Sequence, residues 1–400
     1  MKHKLLSMFF AAIVAMNVHA ADVWDGSSDI FTHGAGTEQS PYLIENAEQL
    51  AFIAEMVNAG VYTYSGNYFK LTTDLDLNDL AWTPIGDATH QFSGNFDGAG
   101  HTISKLKVTS VENAGLFGVV SGGTFANISI SGSVKSTNSG NAGAVAGKAS
   151  SNSFFLQCKN MCNINGNISG GIVGMIENGT LKKCVNDGNV TATICAGGIV
   201  GQCNNNEILD ELYNYGVIDI INTIAITSQS YEYTENANNR SKRNNYRTIS
   251  TKGVAGGIVG NVTNFAAIST CYNFGYVIAD ISKTPYSSNL SYNKYASWQG
   301  DLGTTYSWNY YLYTIQGYSL FGGIAGFFQN GNMNNCYNYG KVTGSATARV
   351  TAPYVVSSNT GGYCVSQMSW ESNLYGGGLI GAAWRVNVYH SANIGDSNNK

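Results

Sequence analysis

The sequence predicts an all-β fold: a parallel β-helix solenoid with an N-terminal α-helical cap and three loop or hairpin insertions on one side. Three observations carry this. A glycine cluster recurs along the chain, a Cys-Tyr-Asn-type motif follows each copy by ten or eleven residues, and no segment of the array has a 3.6-residue apolar period. Composition agrees with repetition, since 48 of 400 residues are Gly, 45 are Asn and only 4 are Pro.

The same counts exclude other classes. A 44% apolar content is too high for a disordered chain. A formal charge of −4 lacks the basic excess of a nucleic-acid binder. Glycine does not fall at every third position, as collagen requires.

Residues 1–20 read as a signal peptide. Lys2 and Lys4 precede a short apolar run, and Val18-His19-Ala20 fits a small-residue cleavage site. The run is too short to span a bilayer, and no later stretch reaches that length. The expected location is therefore extracellular, outer-membrane-associated or periplasmic.

Residues 21–110 form the cap and entry coils. Leu50, Ile53, Ala54 and Val57 share one face of a helix over 46–58. Asn46 with Gln49 resembles a capping box, and Gly60 is a natural stop. Phe69, Leu71, Leu75 and Leu77 then alternate along a strand. A β-helix must cover its first edge, and the helix is the expected cover.

Residues 111–395 are the array. The cluster reads Gly170-Gly171-Ile172-Val173-Gly174, with later copies ending at Gly201, Gly260, Gly326 and Gly381. Degenerate copies end at Gly118 and Gly147. The terminal glycines are spaced by 29, 27, 27, 59, 66 and 55 residues. The basal period is thus about 27, and each long gap is one period plus an insertion. The insertions cover about 222–252, 281–319 and 345–373, always between the second motif and the next glycine cluster. A propeller would need a longer period of about 40–50 residues. A right-handed coil is expected from the usual hand of parallel crossovers. Residues 396–400 are a polar tail; with no second cap visible, the last rung is expected to be covered by the tail, by further domains of a longer protein, or by a partner.

These residues resemble the GLUG-motif family, named for a Gly-Leu-Uaa-Gly cluster. Gly115-Leu116-Phe117-Gly118 matches that signature, and the Gly-Gly-Ile-Val-Gly copies are its common variants. The entry segment, from Pro41-Tyr42-Leu43-Ile44 through Trp82-Thr83-Pro84-Ile85-Gly86 to the glycine-rich turn before His101, looks like the region preceding such repeats in secreted proteins of Bacteroidetes-type bacteria. The resemblance implies a β-helix. It also implies a setting among surface adhesins, or beside the peptidase domain of IgA-cleaving metalloproteases. The His-Glu-x-x-His zinc motif of that peptidase is absent from this chain.

Chemistry is sparse. His33, His90, His101 and His390 are widely separated, so no catalytic residue, metal site or cofactor is expected. His101 follows Asp97 by four residues, and a glycine-rich turn is the simpler reading of that pair. Asp74, Asp76 and Asp97 could bind Ca²⁺ or act on a polysaccharide; solvated outer-face positions at strand ends are the favoured reading. Cys158, Cys184, Cys271 and Cys336 share one repeat position. They could form disulfides between rungs. Leu212 at the same position favours a buried column of small apolar side chains.

The insertions carry the candidate ligand-binding residues Tyr292, Tyr295, Trp298, Tyr306, Trp308, Tyr310, Tyr311 and Trp370, beside a basic cluster of Arg240, Lys242, Arg243 and Arg247. Tyrosine among serine and asparagine makes adaptable binding surfaces at low entropic cost. The functional expectation is a non-enzymatic, adhesin-like surface or secreted protein binding a host or environmental glycan or protein. The alternatives are a β-helix carbohydrate-active enzyme, which would need clustered carboxylates, and a structural stalk, which would need uniform coils.

Overall fold

A computed structural model describes residues 23–399, apart from 111, 138–139, 222–223, 236–239, 281–295, 300–304, 307–309, 346–367 and 396. Residues 1–20, read above as a signal peptide, therefore lie outside the described residues. No helix among the described residues is long and apolar enough to cross a membrane.

The chain winds as a parallel β-helix. Val173 sits opposite Val200, Val200 opposite Val259, Val259 opposite Ala325 and Ala325 opposite Ile380. Short and long sequence gaps thus both advance the coil by one rung, as the repeat spacing predicts. One wall holds an apolar column in which Phe69, Phe96, Phe125, Phe155, Leu181, Leu209, Ile268 and Met333 succeed one another in register. All eight are buried. Alternation within each strand makes this possible, since every second residue faces the lumen.

The helix, Ala47–Asn58, caps the first coil as expected. Asn46 Oδ1 accepts the Gln49 amide N–H at 2.9 Å. Gln49 Oε1 accepts in turn from the Glu45 N–H at 2.7 Å. Leu50, Ile53, Ala54 and Val57 are buried against the core.

Of the two reasons for glycine at a corner, positive φ and close backbone approach, the coil uses the second. None of Gly171, Gly198, Gly257, Gly323 and Gly378 takes a positive φ. A Cβ on Gly198 would collide with the Gly257 carbonyl and the Asn214 side chain; Gly171, Gly257 and Gly323 meet the equivalent two obstacles, and Gly378 meets the Asn393 side chain. Close approach, not backbone freedom, requires glycine here. The left-handed turn of the repeat falls on larger residues. Gln157, Lys183, Glu211, Thr270 and Asn335 have φ of 53°, 57°, 54°, 54° and 52° and follow one another from rung to rung.

The Cys-Tyr-Asn motif builds two inward columns. Asn160, Asn186, Asn214, Asn273, Asn338 and Asn393 form an amide ladder. Each Nδ2 donates to the next Oδ1 at 2.6–2.7 Å. Each Nδ2 also donates to the backbone carbonyl two residues on. Every buried amide proton is thereby used, which is what makes the burial of so many asparagines tolerable. Beside the ladder, Cys158, Cys184, Leu212, Cys271 and Cys336 form a fully buried column.

The excursions are not isolated loops or hairpins. The first is a hairpin, with Ile224–Glu235 antiparallel to Arg240–Gly256. The return strands of all three, Arg240–Gly256, Tyr310–Gly322 and Met368–Gly377, then stack in parallel and in register. The coil register so propagates outward from the glycine corner, because each return strand already has a hydrogen-bonded neighbour at its root.

Candidate binding surface

Tyr292, Tyr295 and Trp308 lie outside the described residues. For the others the backbone register is defined. Trp298, in Ala296–Gln299, is directly opposite Tyr306, in Thr305–Tyr306. Tyr310 and Tyr311 open the second return strand, opposite Asn244 and Asn245. Trp370 is opposite Ile315, which in turn is opposite Ile249. The fold thus brings Trp298 and Tyr306 together. It places Trp370 in the same sheet as Tyr311, about 13 Å further along the strand at the usual rise. The basic cluster lies on the first return strand, where Arg240 is opposite Glu235 and Arg243 opposite Glu232.

A second aromatic feature went unrecognised as a site in the sequence. On either side of each ladder asparagine the coil turns a residue outward. In three rungs both are aromatic. Tyr213, Tyr272 and Tyr337 stack with ring centroids 5.2 and 5.7 Å apart. Tyr215, Phe274 and Tyr339 stack at 5.0 Å, with planes within 8° of parallel. The second column is 52%, 39% and 43% exposed. Rings stacked this way cover one another's faces and turn edges and hydroxyls outward. Burial, and then the neighbouring Tyr272, push the Tyr213 phenol up. The available signal was the doublet Tyr-Asn-Tyr or Tyr-Asn-Phe, whose outward pair is evident once Asn is known to face inward.

The same positions in the preceding rungs are not aromatic. They hold Lys159 with Met161, then Val185 with Asp187, and Lys159 pairs with Asp187 at 2.7 Å. The aromatic doublets occur in the three rungs that also carry excursions, and each doublet lies a few residues before the excursion leaves the coil.

The acidic residues take structural roles. Asp74 accepts from the Thr102 N–H at 2.9 Å and lies 3.2 Å from His101 Nδ1. His101 therefore partners Asp74 rather than Asp97. Asp76 pairs with Lys105 at 2.7 Å. Asp97 accepts from the Ala99 N–H and from Asn127 Nδ2. Glu207 is fully buried; its Oε1 accepts N–H groups from Asn178, Asn204 and Asn205, while Oε2 has no partner. Burial raises its pKa above the usual glutamate value. On the bare rungs, a cleft of about 700 Å³ is lined by Gln91, Glu112, Asn113, Asn141, Lys148 and Glu177 among others. Its Lys148 and Glu177 are 3.5 Å apart. Among the described residues no group of three or more His, Cys, Asp or Glu is placed to hold a metal ion.

Comparison with known proteins adds the following. No family model matches the chain. A stretch of 136 residues is 32% identical to a protein of Evansella cellulosilytica described as a Gly-rich membrane protein. A stretch of 193 residues is 28% identical to halomucin of Haloquadratum walsbyi. These alignments cover 32% and 44% of this chain, and it spans only 15% and 2% of the two relatives. Among solved structures, a chain from Bacteroides ovatus described as a candidate immunoglobulin A1 protease superposes with a TM-score of 0.51. That match covers 86% of each chain at 18% identity, so the likeness is one of fold.

Proposed function

We propose that this chain is a GLUG-type repeat protein of the cell surface or the extracellular space that binds a glycan or protein ligand without catalysing a reaction. The binding surface is the excursion-bearing side of the three rungs that carry Asn214, Asn273 and Asn338. One observation carries this reading: the outward aromatic doublets and the excursions occur in the same rungs, next to each other along the chain. A stalk has no use for that coincidence. Loops and side chains projecting from one side of a solenoid are its usual recognition surface. Tyrosine supplies contact area and a hydroxyl while losing only two torsions. The relative described as a membrane protein supports a surface location.

A glycan and mucin array probed with the exported protein tests this. Binding that is lost on deleting residues 281–319 and weakened by Phe274→Ala supports the proposal. Undiminished binding by a variant lacking all three excursions overturns it. Release of cleavage products from a polysaccharide panel would replace it with the enzymatic reading.

A further inference from the structure

The inward cysteine column has an order that the repeat does not require. Reading along the axis it runs Ile128, Cys158, Cys184, Leu212, Cys271, Cys336, Ser391, as the registers of the following residues show. The cysteines thus fall into two adjacent pairs, and Leu212 separates the pairs. Within each pair the thiols are neighbours on successive rungs, and each donates only to backbone carbonyls, as Cys158 Sγ does to Phe125 O and Cys336 Sγ to Asn334 O, both at 3.3 Å. In-register neighbours on stacked parallel strands have Cα atoms about 4.8 Å apart. That lies inside the span of about 4.4–6.8 Å which a disulfide bridges. Both side chains of a pair point into the lumen, so their Cβ vectors agree in direction.

We infer that Cys158–Cys184 and Cys271–Cys336 are the sites of two inter-rung disulfides, formed while the coil folds. In each, two thiols lose two protons and two electrons to a disulfide oxidant. That oxidant is glutathione disulfide or an oxidised thiol–disulfide oxidoreductase, and it leaves as two thiols. One sulfur–sulfur bond forms in the protein and one breaks in the oxidant. Timing follows from burial. Both pairs are sealed in the lumen of the finished coil, where a disulfide oxidant cannot reach them; burial also pushes the Cys158 and Cys271 thiols up, while the neighbouring Cys271 holds Cys336 down. Exchange must therefore precede closure of the rungs. Leu212 prevents the two pairs from exchanging with each other, because it stands between Cys184 and Cys271. The first bond would join adjacent coils of the bare array, and the second would clamp the root of the 281–319 excursion between its flanking rungs.

The full chain refolded with glutathione disulfide, then denatured and alkylated without reductant, tests this. Cys158, Cys184, Cys271 and Cys336 are expected to escape alkylation, and peptide mapping is expected to recover 158 linked to 184 and 271 linked to 336. Cys158→Ala should free Cys184 alone and leave the second pair linked. Protein refolded under reductant should resist the same oxidant once native and should melt at a lower temperature than the oxidised form. Alkylation of all eight cysteines after oxidative refolding would overturn the inference. So would glutathione adducts at these four positions, or pairing with any other cysteine.

Discussion

The coils up to about residue 210 and those after it are built on one cross-section but decorated differently. In the earlier coils the outward positions beside the asparagine ladder hold Lys159, Met161, Val185 and Asp187. In the next three they hold aromatic doublets, each followed by an excursion, and in the last rung they hold Ala392 and Ile394. The inward positions barely change. Asn160 and Asn338 make the same two hydrogen bonds, four rungs apart. The difference teaches that the fold is specified by inward residues and corner glycines, which leaves the outward residues free to vary.

The comparison can be broken hardest from the inside. Phe125→Ala removes a fully buried ring packed between Phe96 and Phe155 and should cost about 3–5 kcal/mol, read from denaturant unfolding. Asn273→Ala deprives Asn214 Nδ2 of its acceptor and Asn338 Oδ1 of its donor, both buried. It should cost about 3 kcal/mol in the same measurement. An equal loss from an outward residue would contradict the division of labour.

Smaller effects sharpen it. Thr270 holds a left-handed φ of 54° that a β-branched residue adopts poorly. Thr270→Gly should therefore stabilise by about 1 kcal/mol, seen as a higher melting temperature. Phe274→Ala on the outside should shift stability by less than about 1 kcal/mol while weakening ligand capture in a binding assay.

Glu207 provides a pH test. Its folded pKa is raised above the ordinary glutamate value of 4.5, so the folded state holds the proton more tightly than the unfolded state. The resulting stability is fully present below pH 4.5 and is lost as pH rises through the folded pKa. Glu207→Gln should flatten the dependence of stability on pH in that window. An unchanged slope would show that the carboxyl titrates normally.

Much of the fold was legible in the chain. The period near 27 residues, the helix over 46–58 and the fixed departure point of the excursions all follow from spacing, since a coil must return to the same place each turn. The glycine corners were legible as positions, with two causes left open, positive φ and close approach. Only the neighbouring carbonyl and Asn214 show that Gly198 is needed for space. The left-handed column through Gln157, Lys183, Glu211, Thr270 and Asn335 was invisible, because no residue type marks it.

The candidate site was legible in part. Tyrosines clustered in the insertions drew attention, whereas Tyr215, Phe274 and Tyr339 looked like members of a repeat. They become a surface only when rungs 59 and 65 residues apart are stacked.

The sequence alone therefore determined that the chain coils, how often, and where it departs, because periodic spacing is a one-dimensional property. The tertiary structure decided which residues touch along the axis. Stacking sets Lys159 against Asp187, His101 against Asp74 rather than Asp97, and two cysteine pairs on either side of Leu212. Those contacts arise from a rung spacing of about 4.8 Å between residues far apart in the chain. No local pattern encodes them.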